Sequence, residues 1–377
     1  MAPSSGALSA IPVSVVIPAY NRGARVGRAV ATALSQKPRP PAEVIVVDDC
    51  STDGTAEAAR RAGADVVRHE VNRGTGAARN TAIEHASQPW VAFLDSDDEW
   101  LPNHLAALWS VRADHVLVAG ATLRCESGGR DRYIGPVRRG GMIVRSPADV
   151  ATVPPITASG VMVRRDIALA VGGFRDLHGI EDIDLWLRVL EHGTGYLSPV
   201  VSVLYHVHEQ QMSSDGFRLQ AGRRDVIASL SDRPWFTPRL LRDWDTSMRW
   251  DMARSAHADG DPARATRLLM PVVGDPRRAR TLVTILLDRW RGRRRTRRIA
   301  RSGAPTIALI GIQPEDPSPQ LVVQGTTYEP LVPEGTSLVA QYCSLVRRPA
   351  AALLVTRPAD RCVARLLRMR AVRRPGR

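Results

Sequence analysis

Four times before residue 112 the chain repeats one cycle: a short apolar, β-branched run, a polar turn, then an amphipathic stretch. The runs lie at 13–17, 44–47, 65–68 and 90–94; the first stretch ends near 34, and the others cover 54–62, 75–86 and 101–111. Strands separated by helix-length segments pair in parallel through right-handed crossovers. Runs that are apolar throughout, with no alternation, belong to strands covered on both faces. The cycle therefore predicts an α/β protein, an open and mostly parallel sheet with helices on both faces. Ligands of such sheets bind in the crevice beyond the carboxyl ends of the strands. Polar residues gather there: 18–21 after the first run, Asp48 and Asp49 after the second, 95–98 after the fourth. One carboxylate at a strand end is an ordinary turn residue, whereas three clusters at one sheet edge mark a site.

Beyond residue 111 the pattern loosens into Gly-rich loops at 127–129 and 140–141, then 160–164, 172–174 and a strong helix over 182–192. This reads as the acceptor half of the same domain, which is taken to end at residue 215. Residues 216–301 read as a helical, basic extension containing one hairpin, 243–258 and 262–273. Residues 302–377 hold short apolar runs between prolines and give no fold. Charge divides at the same place. Residues 1–215 carry 21 Arg and Lys against 24 Asp and Glu, leaving 31 against 14 of the chain's 52 and 38 for the remainder. Lys37 is the single lysine, so the arginine excess is partly a bias of composition.

Residues 277–301 contain eleven arginines and one aspartate, with Leu282, Val283, Ile285, Leu286, Leu287 and Trp290 supplying an apolar side. That composition suits peripheral contact with an anionic membrane. No RRM, KH or zinc-finger pattern accompanies it, so nucleic acid is not an expected partner. The four cysteines are far apart without a CxxC pair, so neither a zinc knuckle nor a disulfide framework is suggested. No run approaches the roughly 18–20 apolar residues of a membrane span, and no signal-like n-region precedes the first strand. A cytoplasmic location, peripheral at the inner face of the cytoplasmic membrane, is the expectation.

The segment FLDSDDEW at 93–100 places hard oxygen ligands directly after a buried strand. Such groups suit a divalent cation, Mn2+ or Mg2+, that acts as a Lewis acid on phosphate oxygens. The same carboxylates also complement the dipole of the helix that follows. A second acidic group, Glu181-Asp182-Ile183-Asp184, opens the helix over 182–192. The dipole there favours ionisation of Asp182 while the neighbouring Glu181 raises its proton affinity, opposing effects that permit a general base. Capping alone would also place carboxylates at that position, with Leu185, Trp186 and Leu187 as core.

Taken together, VSVVIPAYN at 13–21, VIVVDDCSTDGT at 44–55, NRG at 72–74 leading to ARN at 78–80, the DSDD segment, GGF at 172–174 and Glu181-Asp182 resemble family 2 glycosyltransferases in order and spacing. The resemblance covers about residues 12–213. It implies a GT-A fold and an inverting transfer from a nucleotide-diphosphate sugar, with a UDP-sugar favoured. The acceptor would be a hydroxyl of a glycan, a lipid-linked sugar or a small natural product. It also implies residue roles: Pro18, Tyr20, Asn21, Asp49, Arg79, Asp95 and Asp97 on the nucleotide, with Pro18, Tyr20 and Asp49 around the base. Asp97, Asp98 and His208 would hold the metal, Asp182 would be the base, and Glu181 and Trp186 would meet the acceptor. His206 stands where the family often has an arginine, and Cys50 replaces the small residue usual after the paired aspartates. A sugar nucleotidyltransferase would need a Gly-rich loop after the first strand, which PAYNRG at 18–23 is not. A non-catalytic nucleotide-sugar or glycan binder on the same scaffold stays open at this stage, although the intact Asp97, Asp98 and Asp182 speak against it.

Overall fold

The computed structural model describes residues 10–125, 132–136, 141–151, 156–177, 179–207 and 216–287, with three short strands further on at 308–309, 321–323 and 326–328. All four cycles of the first half are present. They run β1 (Ile11–Ala19), α1 (Val26–Leu34), β2 (Pro41–Asp48), α2 (Thr55–Arg61), β3 (Asp65–Arg68), α3 (Thr75–His85), β4 (Trp90–Phe93), β5 (Glu99–Trp100) and α4 (His104–Trp109). β1 pairs in parallel with β2 and β4, and β2 in parallel with β3. The reason is visible residue by residue: Val13, Val15, Val16 and Ile17 are all buried, so β1 is covered on both faces. In α1 the buried residues are Val26, Ala29, Val30 and Ala33, the spacing of a single helix face.

The second half adds β6 (Leu117–Cys125), β7 (Arg132–Ile134), β8 (Met142–Val144), α5 (Ala148–Ala151), β9 (Val161–Arg164), α6 (Arg165–Ala170), α7 (Glu181–Val189) and β10 (Gly195–His206). The sheet order is β3-β2-β1-β4-β9-β6-β10-β5, with β7 paired to β6 and β8 to β10. β9 lies antiparallel to both β4 and β6, and the two-residue β5 lies antiparallel to β10. This pairing draws the turn after β4 against the end of β10, so residues a hundred positions apart meet at one sheet edge.

Two apolar clusters cover the sheet. One gathers Phe93, Phe174, Leu185 and Trp186, the other Val26, Val30, Leu105 and Leu108. Burying each such side chain contributes about 1.5–3 kcal/mol. Then come α8 (Gly216–Leu230), α9 (Pro238–Ala258), α10 (Pro262–Val273) and a further helix over 276–287. The expected hairpin is α9–α10, with α9 beginning at Pro238 and not at 243: Thr237 caps it by accepting from the Leu240 N–H, and Pro238 fits the first turn. Val226, Leu230, Phe236, Leu240, Trp244 and Met248 belong to the same cluster as Phe93 and Trp186, so these helices share the core of the sheet. Strands β11 (Ala308–Leu309), β12 (Leu321–Val323) and β13 (Thr326–Tyr328) form a separate antiparallel sheet. Among the described residues no helix is long and apolar enough to cross a membrane.

Candidate active site

The turn after β4 is held from several sides. Asp98 N–H donates to the Asp95 carbonyl at 3.0 Å and closes it. The Asp98 side chain is buried, one oxygen accepting from Ser159 Oγ (2.5 Å) and the other from the His206 N–H (3.2 Å). Ser159 Oγ also accepts from the Asp95 N–H at 3.1 Å, and its carbonyl takes the Trp100 indole N–H at 2.6 Å. The His206 ring meets Glu99 at 2.8 Å. Burial first, then the charges of Asp95 and Asp97, push the Asp98 carboxyl well above the usual carboxylate range; the Ser159 hydrogen bond works the other way. Asp97 lies 3.7 Å from the Arg22 guanidinium.

Asp95 and Asp97 are partly exposed while Asp98 is buried, so the turn offers carboxylate oxygens of the kind a hard divalent ion takes. Among the described residues no three His, Cys, Asp or Glu side chains assemble a complete metal cage. One or two carboxylates completed by substrate phosphates is the arrangement Mg2+ commonly takes. His208, the expected third ligand, lies outside the described residues.

Arg79 connects this turn to the start of α7. It leaves α3, is buried, and donates to Asp95 at 2.6 Å and to Glu181 at 3.1 Å. Its guanidinium stands 5.2 Å from the centre of the Phe174 ring. Burial alone would lower its pKa, but the charges of Asp95, Glu181 and Asp182 prevail and hold it above its ordinary value. Asp182, next to Glu181, is half-buried, and its Oδ1 accepts the Ile183 N–H at 2.8 Å. Desolvation, then the Glu181 charge, push its carboxyl up to about 6, against the pull of Arg79.

At the ends of β1 and β2, Tyr20 is 46% exposed while Pro18 is buried within the strand opposite Val47. Asn21 and Cys50 both take left-handed backbone conformations, φ 51° and 64°. Asn21 Oδ1 accepts the Thr52 N–H at 2.9 Å, and the Asn21 N–H donates to Ser51 Oγ at 2.9 Å, tying the two strand ends together. Asp49 is buried and heavily engaged. Oδ1 meets His69 Nδ1 at 2.7 Å and the Arg73 N–H at 2.9 Å, and Oδ2 accepts the Gly74 N–H at 2.8 Å. His69 Nε2 continues to Thr81 Oγ1 at 2.9 Å. Arg79 thus joins the turn after β4 to the start of α7, while Tyr20, Asn21 and Asp49 stand at the ends of β1 and β2, on the same carboxyl edge of the sheet.

The family model for glycosyl transferase family 2 matches residues 14–171. The putative glycosyltransferase EpsE of Bacillus subtilis (strain 168) is 30% identical over 220 residues, covering 55% of this chain and 75% of EpsE. The chain belongs to glycosyl transferase family 2. The succinoglycan biosynthesis protein ExoU of Rhizobium meliloti (strain 1021) is 34% identical over 208 residues; the match covers 49% of this chain and spans only 58% of ExoU's own length. The structure of S. aureus TarS 1-349 in complex with UDP-GlcNAc aligns with a TM-score of 0.53 at 18% identity, over 85% of this chain and 99% of that one. That likeness shows the fold, which is GT-A.

Within this glycosyltransferase domain one expectation needs correction. Trp186, expected at the acceptor, is 1% exposed and packs against Phe93 (5.1 Å) and Phe174 (5.9 Å) in the core, because its position on α7 faces the sheet. Arg79, one of the residues expected on the nucleotide side, holds Asp95 of the DSDD segment and Glu181. Asp184 is wholly buried between Arg175 and Arg188, the latter at 2.6 Å; Arg188 also donates to the carbonyls of Val171 and Gly173, each at 2.6 Å. This family 2 site also uses Ser159 and His69, which lie outside the quoted motifs, and Asn80, which lies inside one. Asn80 brackets Phe174, accepting its N–H at 2.7 Å and donating to its carbonyl at 2.8 Å. Asn80 ends the ARN segment and Phe174 ends GGF, so their pairing joins two quoted motifs, as do those of Arg79 with Asp95 and of Gly74 with Asp49.

Proposed function

We propose that the protein transfers a sugar, with inversion, from a nucleoside-diphosphate donor to an acceptor hydroxyl of a glycan, glycolipid or natural product. The observation that carries this reading is the chain Asp95–Arg79–Glu181 beside Asp182, which sets a carboxylate with raised proton affinity opposite an acidic turn suited to a metal-bound diphosphate. A base whose pKa is about 6 is largely ionised at neutral pH yet still basic enough to accept a proton.

Asp182 Oδ1 is occupied by the Ile183 N–H, so Oδ2 is assigned to the acceptor. It takes the hydroxyl proton as the acceptor oxygen bonds to the anomeric carbon. The bond from that carbon to the diphosphate oxygen breaks, and its electron pair leaves with the nucleoside diphosphate. Attack opposite the leaving group inverts the configuration. Asp97 and Asp98 would hold a divalent ion, Mn2+ or Mg2+, which supplies neutralisation of the charge growing on the diphosphate.

A UDP donor is favoured by lone-pair accounting at Asp49. A carboxylate offers about four acceptor positions, and His69, Arg73 and Gly74 take three of those on Asp49. The remaining position on Oδ2 suits the single imide N–H of uracil, whereas guanine presents two donors side by side. The exposed Tyr20 ring beside it gives the base a stacking face.

A thermal-shift and product-release screen of nucleotide sugars with and without Mn2+ or Mg2+ tests the reading. Stabilisation by UDP only in the presence of metal, with UDP release on adding acceptor, is expected. Equal stabilisation without metal would remove the ion from the scheme, and preference for GDP would overturn the base assignment.

A further inference from the structure

Five of the large apolar side chains left in solvent lie close together in sequence, on α10 and on the helix over 276–287. Met270, Val273, Val283, Leu286 and Leu287 are between 39% and 68% exposed. The second helix is anchored by one face. Arg278 pairs with Asp245 of α9, Thr281 Oγ1 donates to Asp243 of α9 at 2.6 Å, and Ile285 is buried, a spacing of i, i+3 and i+7. At 100° per residue Val283 and Leu287 fall on the opposite face, away from α9, and Leu286 lies at its flank. In α10 the buried residues are Ala265 and Val272, the former packed with Ala253 and Ala256 of α9, and Met270 turns away from them. Both helices therefore use one side to dock on α9 and leave an apolar side outward.

The charge around this outward side selects its occupant. Residues 262–287 contain five arginines and one acid, Asp275, which is already 3.7 Å from Arg278. Arg267, Arg277 and Arg280 are exposed. The sequence continues with eight more arginines and one aspartate at 288–301. Two copies of the chain meeting through this surface would set arginine against arginine with almost no acid to answer it. Apolar side chains flanked by arginines match instead a layer that is apolar inside and anionic at its surface. We propose that the outward faces of α10 and of the 276–287 helix form a docking surface for an anionic lipid bilayer. The inference goes beyond the sugar-transfer reading and does not depend on it, since no residue of the catalytic edge takes part.

The test uses the full chain and two vesicle preparations, phosphatidylcholine alone and equal parts of phosphatidylcholine and phosphatidylglycerol. Co-sedimentation with the anionic vesicles only, weakening as salt is raised, is expected. The double variant Val283→Glu, Leu287→Glu should abolish most of the binding. Arg277→Ala with Arg280→Ala should weaken partition roughly 25-fold, from about 1 kcal/mol per arginine at the surface. UDP-dependent thermal stabilisation, measured on the same samples, reports separately on the donor site, and both variants should keep the parent's value. A parent that ignores anionic vesicles, or a glutamate variant that sediments as the parent does, would overturn the proposal. So would a glutamate variant that keeps its vesicle binding but turns a dimer into a monomer by sedimentation velocity, because a second copy would then be the occupant.

Discussion

Asp182 carries two measurable consequences of its surroundings. With a folded pKa near 6 and an unfolded value near 4, the folded state retains a proton through that window which the unfolded chain has released. Stability therefore falls as pH rises from about 4 to about 6, and the penalty persists above it. Asp182→Asn removes the ionisation, so the variant should be more stable than the parent at pH 7, by at most about 3 kcal/mol and less as solvent screens the half-buried group, while binding UDP normally and losing transfer by a factor of roughly 10³ or more. Calorimetry and turnover read the two effects; a variant that loses UDP binding would mean that Asp182 belongs to the donor side. In the parent, kcat/KM should rise with pH through about 6 as the base ionises. Asp97→Ala should weaken metal-dependent UDP binding without unfolding the chain, and unchanged affinity would relocate the ion. His69 acts through Asp49: His69→Ala should raise KM for the donor with little change in kcat, and His69→Gln, which keeps a donor towards Asp49, should restore part of it.

At the scale of elements, α7 stands on a buried ionic foundation. Asp184 faces Arg175 and Arg188, and Arg188 ties the helix to the loop before it. Asp184→Ala leaves Arg188 buried without its carboxylate, a loss of about 3–5 kcal/mol, to be read as a lower midpoint in urea. An unchanged midpoint would show that Arg188 is satisfied by carbonyls alone. Gly173 completes the loop at φ 64°, and a Cβ there would meet Asn80 Oδ1 at 2.3 Å, so Gly173→Ala should also destabilise the chain.

The first four strand–helix cycles were legible because strands β1, β2 and β4 carry continuous apolar runs and the short DVVR of β3 falls between two helix-length segments. The direction of β9 was not: a run of four residues, VMVR, pairs equally well either way, and only its place between β4 and β6 decides. The acidic ends of β2 and β4 and the start of α7 announced the site through their residue types. Ser159 did not, since a serine among small residues gives no sign that it will bind both Asp98 and the Asp95 N–H. Trp186 had two readings in the sequence, core and acceptor, and its packing against Phe93 and Phe174 decides for the core.

For the molecule as a whole, the helices after residue 215 complete the core that the sheet begins. Trp244 is almost fully buried in the cluster that holds Phe93 and Trp186. A chain ending at 215 should lose cooperative unfolding, or be recovered only as aggregate, because the loss of Val226, Leu230, Phe236, Leu240, Trp244 and Met248 uncovers that cluster. A soluble fragment that melts cooperatively would show the opposite. Trp244→Ala in the full chain, at a cost of about 3–5 kcal/mol, gives the same information by a smaller change.

The foundation beneath α7 also bears on diversification. A proton acceptor standing on buried ion pairs has a fixed address, so new acceptors must be brought to it by changes elsewhere. Changes that spare Asp184, Arg175 and Arg188 leave that footing in place. Chemistry and choice of partner are thereby inherited separately, which lets one scaffold be retargeted by exchanging its periphery while its reaction stays the same.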